Sequence, residues 1–313
     1  MRAYVLPAEG AAPAFAEIEV PEPADDEVQV RVTASSVNPH DVMVASGAAA
    51  RYMTYRYPVV LGSDVAGVVE AVGDGVHDLT PGQRVFGLVR ELVAARGSFG
   101  ELVAVPRDWL AAVPDGVTEA AAGALGLAAL TALRCVEAIA PTTDEVVLVN
   151  GATGGVGSYA VQMLVARGAT VVATARPGEE EKHVRDMGAT EVVDWSTGDL
   201  AERVRSMQPA GVAAVIDLVN RDRGVLTALA AGVLAPGGRV ASTGHAADAD
   251  ALSGFRTVNV RAEADRAAMA LLGELAGSGR LRAPVTRTFR MDEIDSAFAA
   301  LRDGALGKIA VRI

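Results

Sequence analysis

Between Val146 and Gly157 the chain reads VVLVNGATGGVG: a short apolar run, then Ala152-x-Gly154-x-x-Gly157, then a helical segment. Residue types in this order can do one kind of chemistry well. A buried strand delivers a tight turn, and the missing Cβ at Gly154 lets backbone approach a pyrophosphate. At Gly157 the missing Cβ lets the following helix lie close on the strand, and the N–H groups at its start face the phosphates. Small Ala152 takes the first glycine's place. A glycine triplet alone is weak evidence, but here a strand precedes it, a helix follows, and a second strand comes at the expected distance.

That second strand, Thr170–Thr174, ends in Thr174-Ala175-Arg176-Pro177. A site for NAD usually carries Asp or Glu here, to hold the ribose 2′-hydroxyl. This chain offers Arg176, whose guanidinium can pair with a 2′-phosphate, which favours NADP(H). A solvated loop arginine is the other reading. Glu179, Glu180 and Glu181 stand close by, either opposing a phosphate or serving as first-turn acids of the next helix.

The elements that must position this turn follow from the pattern. From Asp144 onward, apolar runs at Val146–Asn150, Thr170–Thr174, Glu191–Asp194, Val212–Asp217 and Gly238–Ser242 alternate with helical segments. Such alternation predicts a parallel, doubly wound α/β sheet. Phe255–Arg261 reads as a sixth strand. Before this region, short alternating runs such as Glu27–Thr33, Val65–Val72, Arg84–Gly87 and Phe99–Val105 sit between Gly and Pro turns and predict a barrel-like β-domain. Thr118–Cys135, rich in Ala and Leu, reads as one buried helix capped by Thr118. Ala264–Ser278 reads as another, and Lys308–Ile313 as a closing strand. The expected domains are 1–117, joined by 263–313, and a nucleotide domain over 118–262.

Composition narrows the function classes. The 313 residues include 28 Lys plus Arg, 39 Asp plus Glu and a single Cys, Cys135, for a formal charge of −11. The acidic balance argues against nucleic acid or an anionic membrane as partner. One cysteine permits no internal disulfide and no four-thiolate zinc site, and it suits a reducing, cytoplasmic setting. The longest uncharged run, residues 146–166, is long enough to mimic a membrane span, but it holds the glycine turn.

The chain resembles the zinc-independent medium-chain dehydrogenase/reductases of the quinone oxidoreductase type. The resemblance is carried by Ser36-Val37-Asn38-Pro39-His40-Asp41, PVVLGSDVAG over 58–67, Val72 to Val76, Pro81 to Gly87 and GSFGELVAVP over 97–106. It continues through the glycine turn, Met187-Gly188-Ala189, Pro236 to Arg239 and Gly307-Lys308-Ile309. It implies a GroES-like domain beside a Rossmann domain. It also implies a return of the last fifty or so residues to the first domain, and a homodimer joined at Phe255–Arg261. Many relatives have Gly-Gly after the fourth nucleotide-domain strand, where this chain has Leu218-Val219.

The same resemblance implies the site. Asn150, Gly151, Thr153, Gly154, Gly155, Val156 and Gly157 would lie at the pyrophosphate; Thr174 and Arg176 are the cofactor-binding candidates read from the second strand's end itself. Ser242, Thr243 and Gly244 would meet the nicotinamide ribose and Thr131 the nicotinamide amide, with Lys308 beside the cofactor. Asn38 and Ser63 stand where zinc-dependent relatives place their first two ligands, and the third, a Cys, is absent. His40, His77, His183 and His245 are scattered. A catalytic zinc needs three protein ligands.

Without metal, the chemistry left is hydride delivery from NADP(H) to an electron-poor small molecule, a quinone or an α,β-unsaturated carbonyl. Asn38 and Tyr52 are the candidate donors to the oxygen where charge develops, with His40 and Tyr55 behind them. Asn38-Pro39 is also a turn pair, the tyrosines of RYMTYRY also suit an amphipathic loop, and Thr131 suits a helix interior. Asp41 and Asp64 are expected to brace backbone N–H groups. A dinucleotide-binding protein of the same fold, with a structural or regulatory role and little turnover, is the alternative function.

Overall fold

The computed structural model describes residues 1–89 and 93–313. The chain divides into two compact units, Met1–Leu130 with Ala264–Ile313, and Thr131–Glu263.

In the first unit, apolar residues at every second position of Glu27–Val37 bury Val28, Val30 and Val32 against Val65, Val69, Val85, Val103 and Val105. This long strand organises the unit. It pairs antiparallel with Asp64–Val72, Leu102–Pro106 and Lys308–Arg312. The last pairing matters most for the site. Its register sets Ile309 opposite Val37, so Lys308 arrives beside Asn38 from the far end of the sequence. The neighbouring strand Val285–Arg290 runs parallel to Lys308–Arg312 and completes that edge. A smaller sheet joins Ala14–Glu17, Arg2–Leu6 and Val59–Val60.

The second unit is a parallel sheet of six strands among the described residues. Their order is Glu191–Val193, Thr170–Thr174, Val146–Asn150, Val212–Asp217, Leu234–Ser242, Arg256–Asn259. The winding reverses between Val146–Asn150 and Val212–Asp217. Open α/β sheets bind ligands at such a reversal, outside the carboxyl ends of the strands. Both faces are covered by helices, so the central strands are apolar throughout: Val147, Leu148, Val149, Val171, Val172 and Val215 are fully buried.

Thr118–Cys135 is not one helix. Thr118 does cap a helix, accepting the Ala121 N–H at 3.3 Å, but that helix ends at Ala122 and a second runs Leu127–Ile139. The break has a physical cause at Gly126. A Cβ there would stand 2.5 Å from the Asp64 carboxylate and press on the Gly87 carbonyl, so only glycine lets the segment lie this close to the strands. The following residue, Leu127, then donates its N–H to Asp64. The short helix packs on Glu27–Val37 and Asp64–Val72, which carries 118–130 into the first unit, beyond the expected boundary at 117. Among the described residues no helix is long and apolar enough to cross a membrane. The uncharged run at 146–166 is a strand, a turn and an eleven-residue helix.

Candidate functional site

The glycine turn has the geometry its sequence requires. The helix Gly155–Val165 begins after Gly154, so the N–H groups of Gly155, Val156 and Gly157 have no acceptor one turn back and stay available to a ligand. Gly157 is fixed by packing, since a Cβ there would lie 2.6 Å from Ala152 Cα. Gly154 is the reverse: a Cβ would meet nothing closer than the Gly151 carbonyl oxygen at 3.8 Å. One glycine is filled by protein and the other faces open space, as a turn shaped for a phosphate should be. Thr153 and Val156 are half-buried on the same turn.

Thr174 is spent inside the fold. Its hydroxyl accepts the Gly151 N–H at 2.9 Å, tying the second strand to the turn. At the sheet's reversal point Asn150 donates to Asp217 at 2.7 Å, and Asp217 also accepts the backbone and side-chain N–H of Asn220 at 3.0 and 2.8 Å. Burial raises the Asp217 pKa, opposed by the hydrogen bonds from Asn150 and Asn220. Asn150 is thus a strut at the mouth of the site. The sequence reading missed Asp217 and Asn220, although a strand-ending Asp was visible at 217. Ser242 lies opposite Asp217 in the next strand and is fully buried, while Thr243 and Gly244 follow half-buried. Thr131 is half-buried in the helix Leu127–Ile139.

Arg176 is exposed, and its guanidinium is held by Glu180, with Nε–Oε1 at 2.7 Å and Nη2–Oε1 at 2.5 Å. It lies 5.6 Å over the ring of Trp195, whose Nε1 donates to the same carboxylate. Of the three acids noted in sequence, Glu180 is the one that reaches Arg176. A 2′-phosphate would therefore share or displace an existing carboxylate.

Asn38, Tyr52 and Lys308 belong to the first unit. Asn38 is buried and its amide is fully engaged, donating to Asp64 at 2.9 Å and accepting from Lys308 Nζ at 2.6 Å. Lys308 is 3% exposed and also donates to Asp64 at 3.1 Å and to the Val37 carbonyl at 3.4 Å. Ser36 donates to the same Asp64 carboxylate. Lys308 is thus a core cation, a role its place in Gly-Lys-Ile did not disclose. Tyr52 is half exposed, with its hydroxyl 3.7 Å from Met43 Sδ. Of the two candidate donors, only Tyr52 keeps a hydroxyl in reach of solvent.

Asp41 and Asp64 do accept backbone N–H groups, from Asn38 at 2.8 Å and from Leu127. Asp41 lies 2.6 Å from the Ser63 hydroxyl. Burial pushes its pKa up to about 7, helped by the nearby Asp64 charge and opposed by Ser63, the Asn38 N–H and Lys308. The raised value has a sign. The unfolded chain gives up this proton near pH 4 while the folded protein keeps it, so the contribution of Asp41 to stability falls as pH rises from about 4 to about 7 and is flat above. Asp41→Asn imitates the protonated form, so chemical denaturation of the variant should show a flatter profile across that window. Identical slopes would mean that Asp41 ionises normally. Asp41 and Ser63 also line a cavity of about 30 Å³ with His40, Met53 and Gly62.

Zinc does not fit this donor set. Zinc takes thiolates, imidazoles and carboxylates as ligands, three or four of them converging on one point. Here the corresponding side chains are an amide and a hydroxyl, already bonded to Lys308 and Asp41. Cys135 is buried in a helix, its thiol pushed up to about 12 by burial. Among the described residues no group of three His, Cys, Asp or Glu could hold a metal ion.

Comparison with known proteins accords with this architecture. The model of the alcohol dehydrogenase GroES-like domain matches residues 24–115, and that of the zinc-binding dehydrogenases matches residues 155–269. A mycocerosic acid synthase-like polyketide synthase of Mycobacterium tuberculosis is 36% identical over 233 residues, 74% of this chain and 10% of that protein. The quinone oxidoreductase of Sus scrofa is 31% identical over 205 residues, 65% of this chain and 60% of that protein. The alignments thus span 60% or less of the length of these curated relatives. Mycobacterial Rv1454c, whose structure was solved with NADPH, superposes with a TM-score of 0.83 at 26% identity, covering 100% of both chains. With a GroES-like domain, a six-stranded parallel Rossmann sheet and quinone oxidoreductase-like homologues, the chain belongs to the medium-chain dehydrogenase/reductase superfamily.

Proposed function

We propose that the protein is an NADPH-dependent, metal-free oxidoreductase that delivers hydride to a quinone or to an α,β-unsaturated carbonyl or enoyl substrate. The observation that carries this reading is the turn at the sheet's reversal point, where Gly157 is closed by packing and Gly154 stands open. The bound dinucleotide would supply the hydride. The residues 151–157 would hold its pyrophosphate on the helix N-terminus, and Asn150 keeps the strand end in place through Asp217. Tyr52 is the side chain assigned to donate to the substrate oxygen as charge develops there. The metal-free part of the proposal is supported by the donor set around Asn38 and Ser63. A cytoplasmic homodimer joined through the edge strand Arg256–Asn259 completes the proposal.

Purified protein should oxidise NADPH in the presence of a simple quinone or enone, at a rate unchanged by a chelator. Loss of turnover on chelation would overturn the metal-free reading. Tight NADPH binding without turnover across a broad acceptor panel would favour a structural or regulatory role instead. The cofactor preference has its own test. Arg176→Ala should weaken NADPH by about ten- to a hundredfold and leave NADH nearly unchanged, as expected for one lost charge-assisted contact. Equal weakening of both would show that Arg176 does not read the 2′-phosphate.

A further inference from the structure

We infer that the ammonium of Lys308 is the resident cation of the buried acidic cluster in the first unit, and that it fills the place a metal ion would need. This deepens the metal-free part of the proposed function. Its test reads stability and metal uptake rather than turnover, so it can fail while the oxidoreductase reading stands.

The geometry is that of a small cation site. Nζ is surrounded by three oxygens, Asn38 Oδ1 at 2.6 Å, Asp64 Oδ2 at 3.1 Å and the Val37 carbonyl at 3.4 Å. An ammonium has three N–H donors, and each finds an acceptor. Lys308 is 3% exposed and Asp64 fully buried, so neither charge is shared with bulk solvent. Asp64 cannot turn away to serve another cation, because it also accepts from Ser36, Asn38 and the Leu127 N–H. The lysine is locked in the same way, since it begins the strand whose register on Val37 fixes its Cα. Asp41 adds a second carboxyl, reached through Asn38, which bonds to both.

Two segments, 36–41 and 63–64, bond to each other directly through Ser36, Asn38 and Ser63, and the positive charge of Lys308 balances the carboxylate they share. An internal cation of this kind removes the need for a metal at the cluster. It also bars metal entry, because a divalent ion at the same oxygens would meet the ammonium at contact distance. Lys308 is on this reading a positioning residue for the Asn38 and Asp64 segments.

The experiment compares wild type, Lys308→Met, and Lys308→Met combined with Asp64→Asn, by thermal melting with and without zinc chloride or calcium chloride, and by metal content after dialysis. Wild type should retain no stoichiometric zinc and should melt at the same temperature with either salt. Lys308→Met should melt lower by roughly 10 °C, the scale of an orphaned buried charge in a chain of this size. The double variant should recover at least half of that loss, because the amide introduced at position 64 can donate to a flipped Asn38 amide where the charge pair stood. A lysine that served only as packing would show no such recovery. If the single variant does not fold, recovery of folded protein in the double variant is the supporting result. Either a wild type that takes up one zinc per chain and melts higher for it, or a double variant no better than the single, overturns the assignment.

Discussion

Gly154→Ala and Gly157→Ala, three residues apart on one turn, are expected to fail in opposite ways. At Gly154 an added methyl meets nothing within ordinary contact except the Gly151 carbonyl oxygen at 3.8 Å, and the backbone there is extended, a conformation alanine adopts freely. The variant should melt with wild type. The methyl would, however, stand where backbone and pyrophosphate need to touch, so NADPH affinity should fall by at least tenfold. At Gly157 the methyl would stand 2.6 Å from Ala152 Cα and 2.7 Å from its carbonyl carbon. These are backbone atoms of the turn itself, which cannot move aside as a flexible side chain can. The helix must lift off the strand, at a cost of about 1–3 kcal/mol or more. Denaturation should therefore show Gly157→Ala destabilised, and NADPH should recover part of that loss only in so far as it still binds. Wild-type affinity in Gly154→Ala would show that no phosphate approaches there. Wild-type stability in Gly157→Ala would show that the close packing of helix on strand is absent.

The contrast between these glycines also shows what the sequence discloses. Val146–Asn150, Thr170–Thr174 and Val212–Asp217 are legible residue for residue, because a strand covered on both faces reads as an unbroken apolar run between turn residues. The turn is legible because glycine spacing is local. The Ala/Leu run after Thr118 misleads because a composition suited to helix masks the two glycines, Gly123 and Gly126, that divide it. Arg176 and Glu180 lie four residues apart, so their pairing was within reach of the sequence, but which of three adjacent acids turns inward depends on the helix phase and on Trp195. Asn150 and Asp217 meet because two strands 67 positions apart are neighbours in the sheet. No local pattern encodes that.

Lys308 and Asp64, 244 positions apart, are the extreme of this kind, and they carry the largest stability effect expected here. Asp64→Ala should destabilise the protein by about 3–5 kcal/mol, measured by chemical denaturation near neutral pH. The reason lies in what remains after the substitution. The pair itself contributes little net stability, because removing two charges from water costs nearly what their attraction returns. Deleting only the carboxylate leaves the ammonium of Lys308 at 3% exposure with one amide and one carbonyl oxygen, and it removes an acceptor of the Leu127 N–H and of the Ser36 hydroxyl as well. Asp41 cannot replace the lost charge. Its oxygens are already taken by Ser63 and Asn38. The loss should also exceed that of Glu70→Ala, which breaks the exposed pair with Arg31 on the neighbouring surface, where solvent screens both partners. Equal, small losses for the two variants would mean that water reaches Lys308 in solution, and that the cluster is not the sealed charge site its burial describes.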